Sequence, residues 1–296
     1  MLQAHAHSAL TLDHLHSVQA AGIDNLLQAE GWPVRWLDQA ADAERFRPLL
    51  AEVHGTLRFM RTLAGSQPGE FLHREMYVSH EALLLEYEHA LTRRHADGRW
   101  FNLATHLPWI GLRTAQPEGA HVEYLRGLAN PLAVKVGIDT KPAQLLRLLA
   151  RLNPSNEPGR LTLIHRLGAS HIQDHLPPLI ETVRSAGAQV LWLCDPMHGN
   201  TRTLPCGTKT RAFDDILAEV AEAFAVHGRH GSVLGGLHLE ASGDAVTECL
   251  GGAVGLQAAD LGRRYLSQVD PRLNRDQSLE LALRVSLDAG AWRQRP

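Results

Sequence analysis

The sequence predicts an α/β protein of the TIM (β/α)8-barrel type with a helical segment at its N-terminus. From residue 100 onward, short apolar runs alternate with amphipathic stretches of helix length. Repeated strand and helix units of this kind favour a parallel sheet with right-handed crossovers. The apolar runs are continuous rather than alternating with polar residues, which is typical of strands buried on both faces. The chain has 296 residues, 44% of them hydrophobic, and can therefore bury a substantial core.

Residues 1–95 are predicted to be helical. Leu10, Leu15 and Val18 have helical spacing, and residues 46–63 repeat the pattern. A Pro-Gly break follows at residues 68–69, after which residues 79–85 open another helix, with Ser79 in the N-cap position, that ends near Arg93 and Arg94. We expect no strand in this part of the chain. It forms a helical N-terminal segment, while residues 96–296 carry the barrel and the site within one structural domain.

Six apolar runs are the predicted strands of the second part. They cover residues 101–104, 132–136, 161–164, 190–194, 232–239 and 265–269. The predicted helices cover residues 121–128, 142–152, 171–186, 210–227, 248–261 and 276–289. A closed barrel has eight strand and helix units, typically in about 250 residues. The sequence therefore predicts a barrel that is about two units short.

Composition excludes several classes of protein. A net charge of -3 gives no bulk attraction to nucleic acid or to an anionic membrane, so neither is expected as a partner. The three cysteines have no CxxC spacing and are too few for a disulfide framework. The first residues lack the basic start and apolar core of a signal peptide, and no run of eighteen apolar residues occurs. We therefore expect a cytoplasmic protein.

Acidic residues and a histidine follow three successive predicted strands. His198, Glu240 and Asp270 lie where parallel strands would bring them to one rim. One imidazole and two carboxylates suit a divalent transition metal with positions open for substrate. The alternative is that His198 is a hydrogen-bonded turn residue and the carboxylates pair with basic neighbours such as Arg272. The spacing alone leaves both interpretations open.

Positive charge is predicted at the same rim. It comes from Arg113, Lys135, Arg166, Lys209 and Arg211. Guanidinium groups bind phosphate in bidentate geometry, so this set favours phosphorylated substrates. Ordinary salt bridging is the alternative for any one of these cations. Trp109 either walls the pocket or packs, and Cys194, within a buried run, is expected to be a small core residue.

The octapeptide from Cys194 to Thr201, CDPMHGNT, resembles the signature of the type II (plant-like) 3-deoxy-D-arabino-heptulosonate 7-phosphate (DAHP) synthases. The resemblance extends over nearly the whole chain. Its further blocks are residues 79–85, 109–111, 119–123, 129–131, 159–164, 176–178, 209–211, 246–249 and 270–274.

The resemblance implies a (β/α)8 barrel with extra helices. It also implies an aldol-type condensation of phosphoenolpyruvate with erythrose 4-phosphate, with release of phosphate, in the shikimate pathway. By the same resemblance, three residues match metal ligands: His198, Glu240 and Asp270. Three others hold phosphoenolpyruvate: Arg113, Lys135 and Arg166. Lys209 and Arg211 lie beside the aldose phosphate, Trp109 joins the substrate-binding set, and the catalytic residues are Lys135, His198 and Arg166.

The chain departs from the family pattern at several points. The family has a cysteine ligand on its first strand, in a Gly-Asp-Cys-Ala-Glu segment, and an arginine on its second strand, and neither segment occurs here. Leu112 stands where Asp or Glu is usual, Ile138 where proline is common and Val269 where cysteine is common. Without the thiolate, Mn²⁺ is the expected metal, with Co²⁺, Fe²⁺ or Zn²⁺ as alternatives.

Three explanations of the missing strands remain open: an upstream start, a partner chain that supplies them, or a shortened paralogue. The changes at Leu112 and Val269 favour the paralogue. Because an incomplete barrel leaves two unpaired sheet edges, we expect a homodimer or association with a chain that supplies the strands. The functional alternatives are a non-catalytic subunit of a full-length synthase and condensation of a different acceptor in secondary metabolism.

Overall fold

The computed structural model describes residues 2–27, 37, 43–64 and 76–294, and the chain forms two compact units, Met1–Val78 and Ser79–Pro296. The first unit contains helices α1 (Leu2–Leu27) and α2 (Ala43–Ala64). Phe46 and Leu50 are buried one turn apart on α2, which gives that helix an apolar face. The two helices agree with the helical prediction for this region, whereas the Pro-Gly break at residues 68–69 lies outside the described residues. No helix in the described ranges is long and apolar enough to cross a membrane.

The second unit is built on a parallel sheet. Its strands are β1 (Ser79–Glu81), β2 (Thr92–Arg94), β3 (Trp100–Asn102), β4 (Leu107–Ile110), β5 (Leu132–Val136), β6 (Leu161–His165), β7 (Leu191–Cys194), β8 (Arg202–Thr203), β9 (Lys209–Thr210) and β10 (Leu234–Leu237). Six of them pair in the order β1-β4-β5-β6-β7-β10, all parallel. The prediction of an α/β fold with a parallel sheet is confirmed. Among the described residues, no pairing joins β1 to β10, so the sheet is open there.

Helices flank the strands of this sheet. They are α3 (Leu85–Ala90), α4 (Ala120–Arg126), α5 (Pro142–Leu152), α6 (Ile172–Ser185), α7 (Phe213–Arg229) and α8 (Arg275–Arg293). Every residue of β5 and β6 is buried, as expected for strands covered on both faces. In α5, Pro142 begins the first turn, and Leu145, Leu148, Leu149 and Leu152 form the buried stripe.

The prediction of a helix from Ser79 to about Arg94 is wrong at both ends, and so is the expectation of no strand in residues 1–95, because β1 and β2 lie there. Ser79 begins β1 instead of capping a helix, and its hydroxyl donates to the Leu107 carbonyl at 2.7 Å. The helix begins only at Leu85. The three residues of β1, Ser-His-Glu, are all polar, so this strand has no apolar run. It is held by its pairing with β4, which the sequence pattern does not show.

Two of the six predicted strands are also wrong. Residues 101–104 do not join the main sheet, because β3 pairs antiparallel with β2; the sheet uses β4, which contains Pro108. Residues 265–269 form an irregular loop. The predicted helix over residues 248–261 is reduced to a short 3₁₀ helix, Ala258–Arg263. Gly251, Gly252 and Gly255 precede it with positive φ, a conformation that ends regular helix.

Candidate active site

A cavity of about 440 Å³ lies at the carboxyl ends of the parallel strands. Its lining includes seven of the nine predicted site residues: Trp109, Arg113, Lys135, Arg166, His198, Glu240 and Asp270. Glu81 and His238 also line it and were not predicted. The remaining two predicted residues, Lys209 and Arg211, contact the carboxylates of the lining. The convergence expected from the strand ends is therefore present in the structure.

Three side chains of this cavity, those of His198, Glu240 and Asp270, lie close enough together to ligate one metal ion. His198 Nε2 lies 3.4 Å from Glu240 Oε1 and 3.9 Å from Asp270 Oδ2. One ligand atom of each residue lies within 4.8 Å of the others, and all three are partly buried. One nitrogen and two carboxylate oxygens can hold a divalent metal and leave positions for substrate or water. These residues therefore fit the metal that the sequence implies.

Asp195 fixes the orientation of His198. Its Oδ2 lies 2.7 Å from His198 Nδ1, and its Oδ1 accepts the backbone N–H groups of Met197 and His198 at 3.0 and 3.1 Å. Burial opposes ionisation of Asp195, but the hydrogen bond with His198 and the charge of Lys135 hold the pKa of Asp195 well below its usual range. With Nδ1 donating to Asp195, the lone pair of His198 Nε2 faces the other two ligands.

Three of the five predicted cations pair with the carboxylates of this region. Lys135 pairs with Asp195, Arg211 Nη1 lies 2.5 Å from Glu240 Oε2, and Lys209 Nζ lies 3.2 Å from Asp270 Oδ1. Burial lowers the pKa of Lys135, while the charge of Asp195 opposes the change. Lys135 Nζ also lies 5.0 Å from the centre of the Trp109 ring, within cation–π range.

Arg211 is fully buried, unlike the other cations of the cavity. Besides Glu240, its guanidinium donates to Thr201 Oγ1 at 2.9 Å and to the Pro271 carbonyl. Nε and Nη1 are thus engaged by the protein, whereas Nη2 is buried without a hydrogen-bond partner. Arg211 therefore orients Glu240 here, and its predicted contact with an aldose phosphate stays a prediction.

Arg113 and Arg166 differ from the three paired cations. Both line the cavity, and Arg166 Nε is buried without a hydrogen-bond partner. In the part of the chain that the structure describes, no carboxylate lies within ion-pair distance of either guanidinium. Arg113 is exposed, whereas Arg166 is partly buried, and its desolvated Nε is costly unless an anion binds it. The geometry therefore suits a phosphate or carboxylate at this side of the cavity.

Glu248 holds the loop that carries Asp270. Its side chain is buried; Oε1 accepts the N–H groups of Leu266 and Ser267 at 3.0 and 2.8 Å, and Oε2 accepts the backbone N–H of Arg272 at 2.8 Å. The Arg272 guanidinium also donates to both oxygens. Burial opposes ionisation, but the bonds from Arg272 lower the pKa of Glu248. Arg272, the alternative partner considered for Glu240 and Asp270, thus pairs with Glu248 instead.

The model of the class-II DAHP synthetase family matches residues 1–286. The chain belongs to this family.

Named relatives agree with this membership. Over 280 residues the chain is 44% identical to "Phospho-2-dehydro-3-deoxyheptonate aldolase" of Streptomyces coelicolor, covering 94% of this chain and 62% of that protein. Over 303 residues it is 42% identical to the Neurospora crassa protein of the same name, covering 97% and 63%. The chain thus spans less than two thirds of the length of these relatives. A solved aldolase structure from Francisella tularensis shares 16% identity and a TM-score of 0.41, covering 65% of this chain and 57% of that one.

Leu112, where a class-II DAHP synthetase usually has an acidic residue, forms part of the cavity wall. A Cβ at Gly137 would lie 2.8 Å from Leu112 Cδ2, so the glycine leaves room for this side chain. The carboxylate of Glu81 reaches the neighbouring part of the wall, over Gly111. The other two departures are exposed: Val269 at 77% and Ile138 at 41%. Of the three, Leu112 alone changes the chemistry of the cavity lining.

Sequence reasoning missed the residues that support the ligands. Asp195 lies within the octapeptide, and the signal that could have found it is the tendency of aspartate to accept the backbone N–H two residues on, here that of Met197. Glu248 lies at the start of the predicted helix over residues 248–261, and no local pattern shows its hydrogen bonds to residues 266–272. His238 lies within the predicted strand over residues 232–239, where nothing marks it as a cavity residue. Burial, followed by the charge of Lys135, lowers its pKa to about 4, so its ring is neutral at pH 7.

Proposed function

We propose that this chain catalyses the metal-dependent condensation of phosphoenolpyruvate with erythrose 4-phosphate, or a related aldose phosphate, with release of phosphate. The observation that carries the proposal is that one cavity contains both a possible set of metal ligands and unpaired arginines that can bind an anion. His198 Nε2 faces two carboxylates, and the guanidinium groups of Arg113 and Arg166, which line the same cavity, have no carboxylate partner among the described residues. Family membership and the names of the relatives support the same reaction.

A divalent metal held by His198, Glu240 and Asp270 would supply Lewis-acid polarisation of the acceptor aldehyde. The residues of the chain do the rest. Arg113, Arg166 and Lys135 bind the phosphate and carboxylate of phosphoenolpyruvate and direct its C3 towards the aldehyde carbon. The new carbon–carbon bond turns the aldehyde oxygen into an alkoxide and leaves positive charge at C2. Water adds at C2, and one of its protons ends on the alkoxide. The C2–O bond to phosphate then breaks, which leaves a ketone at C2, and the second proton leaves with the phosphate. The guanidinium groups stabilise the negative charge of the departing phosphate.

The ligand set and the neighbouring Lys209 bear on the identity of the metal and on the binding of the acceptor. One imidazole and two carboxylates favour Mn²⁺, with Co²⁺, Fe²⁺ or Zn²⁺ as alternatives. Lys209, 55% exposed at its side chain, can reach the phosphate of the aldose while its partner Asp270 binds the metal. Trp109, which already contacts Lys135, closes the apolar side of the phosphoenolpyruvate site.

We further propose that the six-stranded sheet is part of a (β/α)8 barrel. Unpaired strand edges invite further pairing, and the edges here are β1 and β10. The expected cover is the family's first two strands, from this or another chain, or a second copy in a homodimer. Cytoplasmic location also stays a prediction.

The reaction is tested by incubating the purified protein with phosphoenolpyruvate, erythrose 4-phosphate and Mn²⁺ and measuring phosphate release. A parallel sample contains a fragment of a full-length relative that carries the first two strands. We expect release in at least one sample, and loss of release with a chelator. No release in either sample would contradict the proposal. A panel of other aldose phosphates identifies a changed acceptor.

A second candidate function is a non-catalytic subunit of a full-length synthase. Leu112, at a cavity position that is usually acidic in the family, favours it. The two functions separate in a reconstituted complex with a full-length relative. If His198→Ala in this chain leaves the activity of the complex unchanged, the chain is the non-catalytic partner. If the chain alone is active, that candidate is excluded.

A further inference from the structure

A second cluster of metal-ligating side chains lies beneath the rim, outside the cavity. His165 ends β6, Cys194 ends β7 and Glu219 belongs to α7. All three are fully buried, and one ligand atom of each lies within 4.8 Å of the others. The cluster therefore joins two neighbouring strands of the sheet to the helix packed against them.

His165 is the unexplained member of this cluster. Both of its ring nitrogens are buried and neither has a hydrogen-bond partner. Its ring neighbours are His227 and Trp192, with centroids 5.6 and 6.3 Å away. Leaving a buried polar group unpaired costs about 1–3 kcal/mol, and buried imidazoles in folded proteins normally have a partner. A ligand within reach of a ring nitrogen would remove this cost.

We propose that His165, Cys194 and Glu219 form a buried structural site for Zn²⁺, separate from the rim and independent of the proposed reaction. Imidazole, thiolate and carboxylate are the three ligand types that zinc takes in proteins. The thiolate distinguishes this site from the rim set, because a soft sulfur ligand favours zinc over Mn²⁺. Binding transfers the thiol proton of Cys194 to solvent and replaces it with the metal.

The surroundings of Glu219 hold its carboxylate in place. Oε1 accepts the N–H groups of Leu167 and Gly168, both at 3.0 Å, and Oε2 accepts from Asn200 Nδ2 at 2.8 Å. These bonds orient the carboxylate, as the outer contacts of metal ligands do, and leave Oε2 a free lone pair. Because Asn200 lies in the turn of His198, the cluster also supports the loop that carries the rim histidine.

His227 is the candidate for the fourth ligand. Its Nε2 is buried without a partner, and its Nδ1 lies 2.9 Å from Ser232 Oγ. If Nδ1 donates to that hydroxyl, Nε2 carries the lone pair that a metal requires. Zinc–ligand bonds of about 2.0–2.3 Å require the four ligand atoms to draw closer than the present spacing. His227 lies outside the group of ligand atoms within 4.8 Å of one another, so it has to move further than the other three.

The test uses the full chain with His198→Ala and Cys206→Ser, which removes the rim imidazole and the exposed cysteine. The protein is loaded with Zn²⁺, passed through a desalting column and measured for zinc content and by X-ray absorption at the zinc edge. We expect one bound equivalent whose shell contains one sulfur at about 2.3 Å. Absence of bound zinc, or a shell of nitrogen and oxygen only, overturns the proposal and makes the cluster a neutral part of the core.

Cys194→Ser and Cys249→Ser provide the matched comparison, since both cysteines are fully buried. In the same background, Cys194→Ser is expected to lose the sulfur-ligated equivalent and the thermal stabilisation by added zinc. Cys249→Ser is expected to keep both. If both variants lose the zinc, or neither does, the assignment to Cys194 is wrong. If Cys194→Ser does not fold, the sulfur shell of the parent protein and its retention in Cys249→Ser decide the question.

Discussion

Two groups of residues in the rim cavity differ in how their charges are paired. In the first group, which we call the ligand wall, His198, Glu240 and Asp270 lie among cations, and Lys209 and Arg211 pair with the two carboxylates. In the second group, the arginine wall, Arg113 and Arg166 line the same cavity without a carboxylate partner in the described part of the chain.

This difference in charge pairing indicates which ligand each group of residues binds. On the ligand wall, protein cations already balance the carboxylates, so the site is stable before any metal binds. A divalent metal then adds positive charge that an anionic substrate must offset. On the arginine wall the positive charge has no carboxylate partner among the described residues, and an anion would remove the cost of the buried Nε of Arg166. We therefore expect changes on the ligand wall to alter metal binding and kcat, and changes on the arginine wall to alter KM for phosphoenolpyruvate.

The largest effect is expected for His198→Ala. It removes the nitrogen ligand, and losing several kcal/mol of Lewis-acid stabilisation lowers kcat by about 10³-fold or more. Phosphate release and Mn²⁺ affinity are measured together. His171→Ala, an exposed histidine before α6, is the control and should match the parent protein. If His198→Ala weakens Mn²⁺ binding but keeps its activity, or loses activity but keeps its Mn²⁺ affinity, the assignment of the ligand wall is wrong.

Arg166→Gln tests the arginine wall. Hydrogen bonds to a charged group contribute about 1.5–3 kcal/mol, so KM for phosphoenolpyruvate should rise by about 10- to 100-fold. Mn²⁺ affinity should not change. Arg202→Gln is the matched control, because Arg202 is an exposed arginine 4.0 Å from Asp215. Equal effects of the two substitutions on KM would mean that Arg166 contributes only general positive charge.

Glu248→Gln tests how the ligand wall is held. The amide cannot accept all the N–H groups of residues 266, 267 and 272, so Asp270 should lose its fixed position. Outer contacts of metal ligands are typically worth about 10- to 100-fold in metal affinity, and we expect Mn²⁺ binding to weaken by that order. The kcat of metal-saturated protein should recover towards the parent value. Failure to recover would indicate that Glu248 acts on the reaction itself.

The same residue gives a pH dependence of stability. The pKa of Glu248 is lowered in the folded protein, chiefly by Arg272 acting against burial. Its contribution to stability is therefore fully present above the unfolded pKa of about 4.3 and is lost as pH falls through the folded value. In urea unfolding curves below pH 5, Glu248→Gln should lose less stability per pH unit than the parent protein does. An equal or steeper loss would mean that other carboxylates dominate acid unfolding.

Elements were predicted correctly where burial requires a recognisable pattern of apolar residues in the local sequence. In β5 and β6 every residue is buried, so each strand reads as a continuous apolar run. β1 has no apolar run, because its three residues are polar and the strand is defined by its pairing with β4. Residues 265–269 show the opposite error: an apolar run that belongs to a loop, held by the distant carboxylate of Glu248. Local patterns do not report contacts of this kind.

The same limit applies to the site. His198, Glu240 and Asp270 could be named because parallel strands deliver their C-terminal residues to one rim, and the octapeptide supports the first of them. The sequence does not show which of the predicted cations lack a carboxylate partner. Arg211 and Arg166 look alike in sequence, yet one is buried against Glu240 and the other faces the cavity unpaired. The difference depends on three-dimensional packing between residues tens of positions apart.

The smallest effect is expected for Lys209→Gln, the exposed cation of the ligand wall. Its ion pair with Asp270 is partly solvated, and such pairs contribute about 0–1 kcal/mol to the free energy of unfolding. Stability should therefore change little. If Lys209 also contacts the aldose phosphate, KM for erythrose 4-phosphate should rise several-fold while KM for phosphoenolpyruvate stays constant. An increase in KM for phosphoenolpyruvate alone would contradict the division of the two walls, because a cation paired on the ligand wall would then serve the substrate assigned to the arginine wall.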